Sequence, residues 1–424
     1  MIDIFSDLIE RGILKDKTAN IEDFIKRNTI SIYCGTDPTS DSLHVGHLVP
    51  IMTLYRLNKE LNFKCYFLIG GATGMIGDPS FKAGERSFLD LKTVEYNSVS
   101  IEKQIIDIFK KNDSSIEIIN NSDWYKNMNV INFLREGKYI TINYMSCKES
   151  VKKRIADDGM SFTEFSYQLL QAYDYLYLNE KYNINIQIGG ADQWGNITAG
   201  IDIIRKKINK NVHGFSLKLL TKQDGSKFGK TESGCVWLDK NKTLPYDFFQ
   251  FWINIPDSEI LNLIKIFSLK KLEDINILIE QHQKNPKERI LQKELAKEIT
   301  KFIHGEEEMQ NCIKISDILF GNISFDEIIQ INNIDILIKN INNLTIEKNS
   351  LDSHNTYYDL LCNTCLGKIF DSKSEINRCI SNNMIIINKK KINNNTEYIS
   401  EELKKNDFIL IQNGKKNYFA LLLK

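Results

Sequence analysis

Three stretches of this chain share one plan: a short apolar strand, a turn rich in glycine or small polar residues, then a helical pattern. Thr29-Ile30-Ser31-Ile32-Tyr33-Cys34-Gly35 alternates apolar and polar residues and ends in the turn formers Asp37-Pro38-Thr39-Ser40-Asp41-Ser42. Residues 65–69 read as a buried strand that runs into Gly70-Gly71-Ala72-Thr73-Gly74-Met75-Ile76-Gly77-Asp78-Pro79. Residues 184–188 alternate cleanly and end in Gly189-Gly190-Ala191-Asp192-Gln193-Trp194-Gly195-Asn196. Val94, Ile101, Ile105, Ile108 and Phe109 mark a crossover helix. Such alternation over residues 1 to about 240 is the α/β signature. It places glycine turns at the carboxyl ends of strands, where a doubly wound sheet opens its ligand crevice. None of these turns is G-x-G-x-x-G, so a dinucleotide is not the expected ligand.

Two segments carry the chemistry. From Leu43 onward the sequence reads as a helix, which places His44 and His47 of His44-Val45-Gly46-His47 on one face of its first turns. Unpaired N–H groups and the helix dipole favour anions there, and two imidazoles can donate to phosphate oxygens without a fixed charge. Gly46 leaves room for a base or ribose against the backbone. The second segment, Lys222-Gln223-Asp224-Gly225-Ser226-Lys227-Phe228-Gly229-Lys230-Thr231-Glu232-Ser233-Gly234, is a glycine-bearing polar loop whose Lys227 and Lys230 suit a pyrophosphate leaving group. Taken singly, the histidines read equally well as capping or packing residues and the loop as a solvated basic turn. A zinc reading of the histidine pair lacks a third ligand at the usual spacing.

The segments Tyr33 to Thr39, His44 to His47, Gly70 to Pro79, Phe165-Ser166-Tyr167, Gln171-Ala172-Tyr173-Asp174, Gly189 to Asn196 and Lys227 to Thr231 together resemble bacterial-type tyrosyl-tRNA synthetase, a class I aminoacyl-tRNA synthetase. The resemblance implies a fold: an α/β, Rossmann-like parallel-sheet catalytic domain, a helical domain, and a small α+β RNA-binding module. It implies an activity: tyrosine's carboxylate attacks the α-phosphate of ATP, and the tyrosyl group then passes to the terminal ribose of tRNA(Tyr). ATP is expected as a substrate with Mg2+ carried on the nucleotide, and no protein-bound metal. Carried over by position, Thr39, His44, Lys82, Arg86, Lys227, Lys230 and Thr231 are expected around the β- and γ-phosphates. His47, Gly35, Asp37, Gly190 and Asp192 are expected near the rest of the nucleotide. Asp78, Tyr167 and Gln171 are expected at tyrosine's ammonium group, Gln193 beside its carboxylate, and Gln187 in the same pocket. Tyr33 and Asp174 are expected at its phenolic hydroxyl. Gln171 and Asp174 are three apart on a helix that is otherwise strongly apolar, which favours one shared polar pocket. Pro50 departs from relatives that carry a hydroxyl there, and it removes an N–H and threatens a kink.

Composition bounds the rest. At 424 residues and 42% hydrophobic content the chain can fill two or three cores. Lys+Arg and Asp+Glu are equal at 55 each, so RNA affinity has to come from local patches. No apolar run is long enough to span a bilayer and the first residues are not a signal or transit peptide, so a cytoplasmic protein without membrane contact is expected. Eight scattered cysteines are expected as reduced thiols; Cys362, Cys365, Cys379 and His354 form at best an incomplete zinc set. The expected organisation is a catalytic domain over 1–243, a helical anticodon-arm-binding domain over 244–348, and the small module over 356–424. An insertion at about 123–159 serves, by resemblance, a homodimer. From Tyr357 to Lys424 there are 11 Lys/Arg against 7 Asp/Glu, with Lys415-Lys416 in a turn between strands, which suits RNA phosphates. Two alternatives stay open: a tryptophan-specific relative, and a catalytically silent RNA-binding or splicing cofactor on the same scaffold.

Overall fold

The computed structural model describes residues 4–80, 89–148, 151–152, 155–156, 159–221, 228–231, 234–321, 323–330, 334–400, 403, 406–414 and 417–424. Contacts divide the chain into two compact units. One holds residues to Thr243 together with Phe251–Gly305, and the other holds Leu244–Gln250 with Glu306–Lys424.

The first unit is built on a six-stranded sheet of β1 (Leu14–Lys17), β2 (Ser31–Thr36), β3 (Lys64–Ile69), β4 (Glu117–Asn120), β5 (Ile186–Gly190) and β6 (His213–Leu217). Their order is β1-β6-β5-β2-β3-β4, parallel throughout except for antiparallel β1 at one edge. The chain runs outward from β2 through β3 to β4, then returns to the other side of β2 for β5 and β6. The order therefore reverses between β2 and β5, and a crevice opens at their carboxyl ends.

The alternation read in residues 29–35 does not persist as an exposed face. Ser31, Ile32, Tyr33 and Cys34 are all buried, because a central strand of a parallel sheet is covered by helices on both sides. The crossover helix Leu91–Lys111 starts on an Asp90 cap and buries Val94, Ile101, Ile105, Ile108 and Phe109 as the periodicity predicts. The helix Phe162–Tyr182 begins with a Ser161/Glu164 capping box and ends at left-handed Asn183. It lies closely against Trp194–Ile208: a Cβ on Gly200 would stand 2.8 Å from the Tyr175 ring. Pro50 causes no break, since Leu48–Leu61 is one helix and its first turn has no intrahelical partner for the missing N–H. Buried Arg11 donates to the backbone oxygens of Lys265, in the last turn of the helix Asp257–Phe267, and of Ser268 and Lys270 just past it, and so satisfies carbonyls that the helix end leaves over. A short ladder joins β7 (Lys230–Thr231) to β8 (Gly234–Cys235).

The second unit contains the helices Glu306–Phe320, Tyr357–Thr364 and Lys373–Ser381. Its sheet orders β9 (Asn342–Ile346), β10 (Ile385–Ile387), β11 (Lys390–Lys391), β12 (Phe408–Asn413) and β13 (Asn417–Leu423) as β11-β10-β12-β13-β9. β9 lies in a segment read as helical, yet it pairs parallel with β13. Asn342-Asn343-Leu344-Thr345-Ile346 carries only two apolar side chains, too few for a strand pattern, and tertiary pairing decides its state. Cys362, Cys365 and Cys379 are buried in this unit's apolar core beside Leu361, Ile376 and Ile380. Lys415 and Lys416 lie outside the described residues. Among the described residues no helix is long and apolar enough to cross a membrane.

Candidate active site

The residue after β2 begins a polar chain that crosses the crevice. Asp37 accepts from the Thr73 hydroxyl at 2.7 Å and from the Tyr167 hydroxyl at 2.9 Å. Asn121, directly past β4, donates through Nδ2 to Thr73 Oγ1 at 3.0 Å and to Asp174 Oδ2 at 3.1 Å. The Trp124 indole donates to Asp174 Oδ1 at 3.0 Å. Gly70 must be glycine for this arrangement, since a Cβ would stand 2.2 Å from Asp37 Oδ1 and 2.4 Å from Thr73 Oγ1. Asp37, expected on the nucleotide side, is thus hydrogen-bonded to Tyr167, expected at the ammonium group. The short turn after β2 folds Asp37 back over Gly70.

Tyr33 on the central strand β2 is 1% exposed, and its hydroxyl has no partner among the described residues. Strand register pairs Tyr33 with Gln187, which is also buried and whose Oε1 has no partner among the described residues. Paired residues on neighbouring strands share a sheet face, so these two polar groups look the same way. Burial pushes the Asp174 carboxyl up to about 7, against the opposing pull of the Asn121 and Trp124 hydrogen bonds. Burial and the Asp174 charge hold the Tyr33 hydroxyl well above the ordinary tyrosine range.

A second polar cluster spans the turn after β5. Gln193 Nε2 donates to Asp78 Oδ2 at 2.5 Å and to Asp192 Oδ2 at 3.3 Å. Asn196 Nδ2 donates to Gln171 Oε1 at 2.8 Å and to Gln193 Oε1 at 3.0 Å. The structure therefore gathers Asp78, Gln171, Asp192 and Gln193, with Gly190 at the end of β5. Asn196, Asn121, Thr73 and Trp124 complete the two clusters without having been singled out from the sequence. Asn196 was legible as the same-face neighbour of Gln193, three residues on. Asn121 and Trp124 carried no local signal, because their role exists only through Asp174 on a distant helix.

The histidine segment differs from the helix expected of it. His44 is extended and bridges Trp237 in antiparallel fashion, and Leu43 lies outside any helix. A 3-10 turn then covers Val45–His47 before the α-helix starts. A reciprocal cap forms in place of a first helical turn: Gly46 N donates to His44 Nδ1 at 3.0 Å, and His44 N donates to His47 Nδ1 at 3.2 Å. Both Nδ1 atoms accept, so each neutral ring carries its proton on Nε2. Burial, with His44 beside it, lowers His47 to about 3, so this ring is neutral at physiological pH. The rings lie 4.2 Å apart.

Backbone ties join this turn to the lysine loop. Val45 N donates to Val236 O at 3.0 Å, Leu238 N to Leu43 O at 2.8 Å, and Val236 N to Gly229 O at 3.1 Å. Gly229 has φ +85° and a Cβ there would stand 2.2 Å from Val45 Cγ2. Phe228 anchors the loop among Phe251, Trp252 and Phe267. The backbone of Lys230 and Thr231 thus sits next to the histidine turn; their side chains, and all of Lys82, Arg86 and Lys227, lie outside the described residues. Thr39 is exposed on the loop before the turn, and Gly35, next to last in β2, packs against Leu68. Cys34 is buried, which pushes its thiol up to about 12 and leaves it inert.

Residues 26–321 match the family described as tRNA synthetases class I (W and Y), and residues 333–421 match the tyrosine–tRNA ligase SYY-like C-terminal domain. The chain is 42% identical to the tyrosine–tRNA ligase of Amoebophilus asiaticus over 99% of both chains. It is 41% identical to that of Bacteroides thetaiotaomicron over 98% of both. A solved C-terminally truncated mitochondrial tyrosyl-tRNA synthetase from Aspergillus nidulans aligns with TM-score 0.66 and 30% identity, covering 76% of this chain and 95% of that one.

Proposed function

Because the chain belongs to the tyrosine–tRNA ligases of the class I synthetases, we propose that the crevice between β2 and β5 holds tyrosine with its phenol downward and its carboxylate towards the histidine turn. The observation that carries this orientation is the buried, partnerless Tyr33 hydroxyl facing the same side as Gln187, with the Asp174 carboxyl close enough to raise it. A substrate phenol can donate to Asp174 and accept from Tyr33. Phenylalanine would leave both without it, and an unpaired buried polar group is the costly case. Tyrosine–tRNA ligases are themselves the known example of this effect, and their discrimination of ~10⁵ without editing is an established property of the family. At the other end, Asp78, Tyr167 and Gln171 take the ammonium group, with Gln193 beside the carboxylate.

In the first step a carboxylate oxygen of tyrosine forms a bond to the α-phosphorus of ATP, and the bond to the β-phosphate oxygen breaks, releasing pyrophosphate. No protein nucleophile is required; the protein orients the two substrates and stabilises charge on the leaving phosphates. The Nε2–H groups of His44 and His47 are donors without net charge. Thr39, Lys82, Arg86, Lys227, Lys230 and Thr231 supply the remaining contacts to the β- and γ-phosphates, while Gly35, Gly190 and Asp192 lie along the ribose and base. Around the histidine turn the donors are nitrogen rather than clustered carboxylates, so Mg2+ is assigned to the nucleotide's own oxygens. In the second step a terminal ribose hydroxyl of tRNA(Tyr) attacks the tyrosyl carbonyl and AMP leaves. The helical region over 244–348 serves the anticodon arm and the small module over 356–424 the RNA backbone.

A homodimer is supported by exposed apolar side chains in and beside the insertion, with Val130 at 70%, Ile131 at 65%, Ile142 at 71% and Phe162 at 76%. Sedimentation at micromolar concentration should give twice the chain mass; a single chain mass there rules the dimer out. The activity is tested by exchange of pyrophosphate into ATP. Exchange with tyrosine but not with tryptophan or phenylalanine is expected. Tryptophan-dependent exchange, or none with a tRNA that still binds, overturns the reading.

A further inference from the structure

The crossover helix Leu91–Lys111 buries an apolar face, but two amides interrupt it at the site end. Asn97 is 5% exposed and donates through Nδ2 to Pro38 O at 2.9 Å. Gln104 Oε1 accepts from Leu43 N at 2.9 Å, while its Nε2 donates to Ser42 Oγ at 3.1 Å. The Ser42 hydroxyl passes its proton on to Leu43 O at 2.8 Å. Seven residues separate the amides, two helical turns or ~10.5 Å of rise, so both reach the loop from one helix face. Pro38 O and Leu43 N belong to a loop and have no ladder partners; buried backbone groups need one. Core packing alone would place Leu or Ile at the buried Asn97 position, since a buried amide is costly unless bonded, and half-buried Gln104 spends both ends of its amide on the loop. Between the two pinned points stands exposed Thr39, and one residue beyond the second stands His44.

We propose that Gln104, seconded by Asn97, is a positioning residue for adenylate formation: Gln104 fixes the 42–43 end of the loop and Asn97 its Pro38 end, so that Thr39 and His44 meet the phosphates in register. The proposal rests on the reading above that these two side chains serve the β- and γ-phosphates. Gln104 touches neither substrate. It acts through the backbone that carries the groups which do.

Gln104→Met keeps the volume and removes both hydrogen bonds. Gln104→Glu keeps an acceptor for Leu43 N–H, and the Ser42 hydroxyl can turn to donate to it. Pyrophosphate exchange, followed against tyrosine and against ATP, separates the possibilities. Q104M should lower kcat ~10–100-fold with the tyrosine KM within about two-fold of the parent, because a misplacement near 1 Å is that expensive. Q104E should recover most of the loss. In a His44→Ala background Q104M should add less than about two-fold, the signature of two changes acting on one unit. An unchanged kcat overturns the proposal. So does a loss as large in the His44→Ala background as in the parent, or a tyrosine KM that rises in step. If His44→Ala alone leaves exchange untouched, the assignment of His44 to the phosphates has failed, and the proposal falls with it. Should Q104M not fold, Ser42→Ala removes only the relay: a few-fold fall in kcat at constant tyrosine KM supports the proposal, and no fall overturns it.

Discussion

The two ends of the crevice solve different problems with different materials. At the end proposed for the amino acid, side chains hold side chains: Asp37, Tyr167, Thr73, Asn121, Asp174 and Trp124 form one hydrogen-bonded chain, much of it buried. At the end proposed for the phosphates the backbone does the holding, through Leu43, Val45, Gly229, Val236 and Leu238, and the groups assigned to the phosphates project from it. The difference teaches where each property comes from. Selection between tyrosine and phenylalanine needs polar groups fixed in a dry place. Stabilising a transient charge needs donors that can reach outward from a framework that does not move.

The largest test of the comparison is Lys230→Ala. Pyrophosphate exchange should slow ~10²–10³-fold, the usual result of removing one donor from a developing charge. Tyrosine affinity, measured by equilibrium dialysis, should stay nearly the same; a large loss would join the two ends into one unit. Next comes Asp174→Asn, which keeps the size but alters the acceptor. The ratio of kcat/KM for tyrosine over phenylalanine should fall by ~10–100-fold, as expected when a buried partner of the hydroxyl is compromised. An unchanged ratio would remove Asp174 from the phenol.

The same variant sharpens the comparison through pH. A carboxyl raised from 3.8 to about 7 on folding contributes stability that is fully present below pH 3.8 and lost as pH rises through 7. At pH 8 the parent holds a buried charge that the asparagine variant lacks. Thermal melts without ligand should therefore favour D174N at pH 8, with the gap closing as pH is lowered towards 5. His47 has the opposite sign: lowered to about 3, it contributes stability above pH 6.5 that is lost on acidification. It does so in both proteins and cancels in the difference. The smallest effect is expected at Gly229→Ala. A left-handed φ and a clash with Val45 should cost on the order of 1–3 kcal/mol in urea unfolding, and exchange should fall with tyrosine KM unmoved.

Much of the framework was legible because it rests on local rules. Glycines after strands and the apolar period of residues 94–109 each announce themselves within a few residues. What escaped depends on partners far away in sequence. His44 is extended because Trp237 lies beside it, and no reading of residues 40–50 contains that fact. Asp37 turned to Thr73 and Tyr167 for the same kind of reason. Asn121 looked like a polar residue after a short strand until Asp174 gave it something to hold. β9 is a strand only because β13 offers it an edge.

The antiparallel edge of the main sheet carries a consequence for synthesis. β1 leaves the ribosome early, yet its strand neighbour is β6, and Asp16 waits two hundred residues for the Ser216 hydroxyl that its backbone N–H will meet. Arg11 waits longer still for its carbonyls at the end of Asp257–Phe267 and just beyond it. During translation the opening residues are therefore the last of the sheet to find their place, and such distant pairings form slowly. A nascent chain released before His213 would carry this strand loose, and protease should cut it there first.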